Sequence, residues 1–148
     1  MELLDGRSLN ILLIDDDETT NFVNARILKK MGLVKTLQIA ENGQEALNYL
    51  TCDGPFVAKA PNYPRPDLIF LDINMPIMNG WEFLDNYKNL ATNKRGNVVV
   101  VMLTTSLQKE DHEKAKSSAM IKEMVSKPLN KKAVGAIIAR HFEQLSAG

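Results

Sequence analysis

The sequence predicts an α/β fold in which helices cover a parallel sheet. Short apolar runs alternate five times with segments of helical period, and repeated βα units of this kind build parallel sheets. The first of these runs is nearly all aliphatic, as expected of a strand buried on both faces. A chain of 148 residues, 45% of them hydrophobic, makes one ordinary domain whose core needs neither disulfides nor a structural metal.

Leu9 to Ile14 reads as the first strand, and it stops abruptly at Asp15, Asp16 and Asp17. After Glu18, the residues Phe22, Val23, Ile27 and Met31 recur at helical spacing, and Gly32 stands where a left-handed helix end favours glycine. Leu37 and Ile39 alternate with polar neighbours in a short second strand. Asn42 and Gly43 then turn into a helix carrying Ala46, Leu47 and Leu50, ended by Gly54. The stretch from Gly54 to Pro66 holds four of the six prolines and reads as a long, partly rigid surface loop. Asp67 to Asp72 encloses a third strand, Leu68 to Leu71. Pro76, Asn79 and Gly80 make a turn, and Phe83, Leu84, Tyr87 and Leu90 mark a third helix. Val98 to Leu103 is the most strand-like run, β-branched at four successive positions. A mostly polar helix over Gln108 to Ser118 follows, with Ala115 its main apolar residue. Met124 and Val125 make a brief fifth strand before Lys127 and Pro128. Val134, Ile137, Ile138, Phe142 and Leu145 define a strong last helix.

Composition excludes several classes of function. Lys plus Arg and Asp plus Glu each number 18, so the formal net charge is zero and the electrostatic footprint of a nucleic-acid binder is missing. No apolar run exceeds seven residues, against about 18 needed to span a bilayer, and Met1 to Asn10 lacks the layout of a signal peptide. The single Cys52 cannot form an internal disulfide, which fits a reducing compartment. A cytoplasmic protein that binds neither DNA nor membrane is expected.

In open α/β sheets, ligands bind beyond the carboxyl ends of the strands. There the sequence places Asp15, Asp16 and Asp17 after strand one, Asp72 after strand three, Thr104, Thr105 and Ser106 after strand four, and Lys127 after strand five. Carboxylates gathered so closely repel one another unless a cation is present. Oxygen-only ligands with no Cys or His cluster favour Mg²⁺. Such an ion would bring a phosphoryl group to Asp72, with Lys127 neutralising one phosphoryl oxygen and Thr104 donating a hydrogen bond to another.

The strings ILLIDDDE, PDLIFLDINMPIMNGWEFL, VVVVMLTTS and SKPL, in this order and spacing, resemble a receiver domain of the two-component response regulators, of the chemotaxis-regulator-like, single-domain type. The resemblance covers about residues 8 to 145, and one domain over 1–148 is expected. It implies a flavodoxin-like (βα)5 doubly wound sheet of strand order 2-1-3-4-5. It also implies that Asp72 is the phosphoacceptor, that Asp15, Asp16, Asp72 and the backbone carbonyl of Asn74 hold Mg²⁺, and that Thr104 and Lys127 contact the phosphoryl group. A cis peptide between Lys127 and Pro128 is implied as well. Three features depart from the family pattern. Met124 stands three residues before Lys127, where Tyr or Phe is usual as a rotameric switch. Thr105 follows Thr104 where a smaller residue is common, and its branched side chain narrows access to Asp72. The Gly54 to Pro66 loop is longer than usual.

Other residues have plainer readings. Asp17 and Glu18 suit the positive end of a helix dipole, Asp67 is a loop acid, and Trp81 packs at a helix start. The seven Met residues fill core gaps, and neither His112 nor His141 is assigned chemistry. The function implied is Mg²⁺-dependent acceptance of a phosphoryl group on Asp72 from a sensor histidine kinase or a histidine phosphotransfer protein. With no effector after residue 148, output is expected through a downstream protein or through a homodimer on the face of helix four, strand five and helix five. Two competing functions are a metal-dependent phosphohydrolase working through an aspartyl phosphate and a receiver-shaped module that binds without phosphorylation. The first is disfavoured by Asn74, which stands where such enzymes place their general acid, and by the lack of a capping insertion.

Overall fold

The computed structural model describes residues 8–51, 65–90, 98–105 and 108–143. Its elements, in chain order, are β1 (Leu9–Ile14), α1 (Glu18–Lys30), β2 (Val34–Ala40), α2 (Gly43–Thr51), β3 (Leu68–Asp72), α3 (Gly80–Tyr87), β4 (Val99–Thr104), α4 (Lys109–Ser117), β5 (Ile121–Ser126) and α5 (Lys131–Ile138). The last continues through a π turn over Ala139–Glu143. The expected helix end at Gly54, most of the loop up to Pro66, Ser106 and Leu145 lie outside the described residues.

All strand pairs are parallel, and the sheet order is β2-β1-β3-β4-β5, the order the resemblance implies. Register brings the strand ends level. Ile14 pairs with Ala40 and Leu71, Asp72 with Leu103, and Thr104 with Ser126. The residues that follow therefore emerge along one edge.

Side chains alternate between the faces of a strand, and the aliphatic runs divide accordingly. Leu12, Ile14, Ile69, Leu71, Val100 and Met102 pack with residues of α2, α3 and α4. Leu9, Ile11, Leu13, Leu68, Phe70, Val101 and Leu103 pack with Leu28 of α1 and with Val134, Ile137 and Ile138 of α5. Continuous apolar strands thus serve two cores, one on each side of the sheet.

The helix α1 lies where its period placed it, yet with a different face inward. Phe22 is 65% exposed and Val23 37%, while the buried residues are Asn21, Asn24, Ala25 and Leu28. The fifth strand is also longer than Met124 and Val125 alone. It starts at Ile121, and its alternation is blurred because β5 lies at the sheet edge and is mostly half-buried. Glu123 on this strand accepts hydrogen bonds from the Arg140 guanidinium, and His141 Nε2 lies 2.8 Å from its carboxylate. These contacts tie β5 to the end of α5. Asp67, expected as a plain loop acid, accepts the backbone N–H of Asn10 at 2.9 Å and so joins the starts of β1 and β3.

Between β3 and α3 the chain turns tightly. Ile77 adopts φ 66, a left-handed conformation unfavourable for a β-branched residue. Asn79 caps α3 through a reciprocal pair of bonds with Glu82, the capping box that satisfies two free N–H groups. The first residue of α3, Gly80, donates to the Ile73 carbonyl at 2.8 Å. Its neighbour Trp81 packs against the α2–α3–α4 core, and Lys114 of α4 sits 4.8 Å above its ring, within the range of cation–π attraction.

A Cβ on Gly80 would lie 2.4 Å from the Asp72 carbonyl oxygen. The obstacle is backbone at the end of a buried strand, so it cannot rotate aside. Gly80→Ala is expected to destabilise the fold by about 3 kcal/mol, the upper end of overpacking costs. Urea unfolding at equilibrium measures this, and an unchanged midpoint contradicts the close approach.

Candidate functional site

The strands all end at the same edge of the sheet, and four ionisable groups meet there. Asp15 follows β1 and is 0% exposed, and Asp72 closes β3 at 5%. Asp16 is exposed beside them. One carboxylate oxygen from each of the three lies within 4.8 Å of the others. The Lys127 ammonium enters from the loop after β5, 2.8 Å from Asp15 Oδ2 and 3.0 Å from Asp72 Oδ1. The Lys127–Pro128 peptide is cis.

Backbone bonds hold these loops. Lys127 N–H donates to the Thr104 carbonyl at 3.0 Å, which places the buried Thr104 next to the lysine. The N–H of Asp17 donates to Asp15 Oδ1 at 2.9 Å, and Asp15 N–H donates to the Ala40 carbonyl at 3.0 Å. Asp17 occupies the N-cap position of α1 and Glu18 its first turn, so both are helix-start acids. The Asp17 carboxylate accepts from the Thr20 hydroxyl, and this bond holds its pKa below the ordinary range.

Burial raises the Asp72 pKa from 3.8 to about 6; the hydrogen bond from Lys127 works in the opposite direction, and repulsion from Asp15 adds to the rise. Burial also works against the charge on Lys127, but its hydrogen bonds to Asp15 and Asp72 prevail and raise its pKa. The cluster therefore carries more negative charge than one ammonium balances. Three carboxylates, one of them open to solvent, form the donor set of a hard divalent cation.

The remaining predicted residues are placed less centrally. Asn74 is exposed two residues beyond β3, and no side-chain hydrogen bond or ion pair among the described residues links it to the acids. Thr105 is exposed and lines an open groove of about 440 Å³ with Asp17, Thr19, Thr20, Val23, Lys127 and Pro128. Access to the lysine runs beside this threonine. Met124 is half-buried, packs against the α2–α3–α4 core and borders a cavity of about 400 Å³ at α4 and β5 that also involves His112, Ala115 and Glu123. Sequence reasoning missed two residues that touch the site loops, Asn21 and Asn24. Their signal was the polar interruption at i and i+3 of an otherwise amphipathic helix.

Residues 11–139 match the response regulator receiver domain. The chain belongs to that family. This receiver is 35% identical over 101 residues to the response regulator Rcp1 of Synechocystis sp., covering 68% of this chain and 65% of Rcp1. It spans only 15% and 24% of two further curated relatives that it matches. A two-component response regulator from Cytophaga hutchinsonii shares the fold at a TM-score of 0.77 and 33% identity, covering 90% of this chain and 97% of that one. The phosphorylated cyanobacterial phytochrome response regulator RcpA superposes at a TM-score of 0.70 with 27% identity, covering 88% and 89% of the two chains. The Mn²⁺-bound form of Rcp1 does so at 0.68 with 29% identity, covering 88% of each. No helix among the described residues of this receiver is long and apolar enough to cross a membrane.

The raised pKa of Asp72 has a consequence for stability. The folded receiver keeps the proton up to about pH 6, whereas the unfolded chain releases it near 3.8. Stability therefore falls as pH rises between those values, and the full penalty is present above pH 6. In EDTA at about pH 7.5, Asp72→Asn is expected to stabilise the receiver by up to about 3 kcal/mol, with the gain vanishing near pH 4. Thermal melts of both proteins across this range test it. A gain that persists unchanged at acid pH contradicts the assignment.

Proposed function

We propose that this receiver accepts a phosphoryl group on Asp72 from the phosphohistidine of a sensor histidine kinase or a histidine phosphotransfer protein, in a Mg²⁺-dependent reaction in the cytoplasm. The observation that carries this reading is the Lys127 ammonium held by Asp15 and Asp72 at 2.8 and 3.0 Å, with Asp16 beside them. A lone surface lysine has no reason to sit among buried acids, and those acids have no reason to gather unless a cation and an anionic substrate share the site.

Asp15, Asp16, Asp72 and the backbone carbonyl of Asn74 would hold Mg²⁺. When bound, the ion supplies positive charge that offsets the repulsion between an anionic nucleophile and an anionic phosphoryl group. The carboxylate of Asp72, ionised above about pH 6, attacks phosphorus. A P–O bond forms as the donor's N–P bond breaks, and the electron pair of the broken bond returns to the imidazole nitrogen. Lys127 pairs with a phosphoryl oxygen, while the Thr104 hydroxyl donates to another. The groove walled by Thr105, Val23 and Pro128 is the approach route to Lys127.

The product adds negative charge beside Thr104 and Lys127, and the loops carrying them respond. Both loops lead into the face of α4, β5 and α5, where we place the output: binding of a downstream protein or of a second copy. Met124 fills the position at which the family usually carries an aromatic, so the movement here is read through a flexible thioether.

With Mg²⁺ and acetyl phosphate, the intact protein is expected to gain one phosphoryl group. Asp72→Asn is expected to gain none, and Lys127→Ala to gain it about 100-fold more slowly. Mass spectrometry over a time course measures all three, and equal labelling of Asp72→Asn ends the proposal.

A further inference from the structure

The inward face of α1 carries two amides at positions where a helix packed on a sheet ordinarily places leucine. Asn21 is 3% exposed and Asn24 0%, one turn apart on the same stripe. Asn21 Nδ2 donates to the Asp15 carbonyl at 2.7 Å. Asn24 Oδ1 accepts from the Leu129 N–H at 3.0 Å. These bonds reach two different loops, one after β1 and one after β5. The same two loops supply the partners of the 2.8 Å ion pair between Lys127 and Asp15.

The arrangement is costly in itself. Asn21 Oδ1 and Asn24 Nδ2 are buried and have no hydrogen-bond partner among the described residues. Each unpaired buried half of an amide carries a desolvation cost that its one hydrogen bond only partly offsets. Departures from apolar packing on this scale belong at functional sites.

We propose that Asn21 and Asn24 are positioning residues that use α1 as a rigid bar to set the two site loops at a fixed spacing. Asn21 holds the Asp15 end and so governs how the acids meet a divalent cation. Asn24 holds the segment just after Lys127 and so governs where the ammonium meets the phosphoryl group. This assignment rests on the phosphoacceptor reading of Asp72 and divides the work of the site between two neighbouring side chains.

The test replaces each asparagine by leucine, with Asn21→Ala and Asn24→Ala as smaller variants should leucine prevent folding, and thermal melts confirm the folded state. Mg²⁺ affinity is read by calorimetry without phosphodonor, and the limiting labelling rate is read at saturating Mg²⁺ and acetyl phosphate. Asn21→Leu is expected to weaken Mg²⁺ binding about tenfold with the limiting rate within about twofold of wild type. Asn24→Leu is expected to lower that rate about tenfold with Mg²⁺ affinity within about twofold. A purely structural role does not separate the two readouts. Variants that bind Mg²⁺ and label like wild type overturn the inference, as do variants that lose both in equal measure. A wild type that binds Mg²⁺ but takes no label overturns the phosphoacceptor reading instead, and the calorimetric comparison of the two variants then decides the positioning claim.

Discussion

The site depends on one ammonium group shared by two buried carboxylates. Asp15 and Asp72 end adjacent parallel strands, and level register brings their side chains together whether or not their charges favour it. Burial and the neighbouring Asp15 both oppose ionisation of Asp72. Lys127, arriving from the far side of β4, offsets part of that cost and becomes harder to deprotonate in return. The sheet supplies the proximity, and the lysine makes it tolerable. Neither alone keeps these charges gathered at one edge of the sheet.

Much of this was legible in the amino-acid order because the sheet is buried on both sides. Strands that serve two cores cannot afford polar positions, so β1, β3 and β4 stand out as aliphatic runs, and the first polar residue after each run marks the edge where ligands bind. Asp15, Asp72 and Thr104 were placed at that edge in this way, and the structure has them there. Lys127 was singled out by its place at the end of the fifth strand and by the company of the acids.

The parts that were not legible fail for identifiable reasons. Phe22 and Val23 set a convincing helical period for α1, yet they face solvent, because the inward stripe joins Ala25 and Leu28 to two asparagines that hydrogen-bond to Asp15 and Leu129. Periodicity counts apolar residues and is blind to a polar face that satisfies distant backbone groups. The start of β5 was hidden because an edge strand with one half-exposed side loses the continuous apolar signature. Asp67 looked like a loop residue, and its bond to Asn10 depends on a strand neighbour 57 positions away, which no local pattern reports.

The glycine-led start of α3 links chemistry to spectroscopy. Gly80 lies against the main chain of Asp72, and the next residue is the only tryptophan in the chain, with its ring beneath a lysine of α4. Intrinsic near-ultraviolet fluorescence of this protein therefore has a single tryptophan origin, fixed between the strand that ends in Asp72 and α4. The molecule carries its own optical gauge at the contact between that strand and α4.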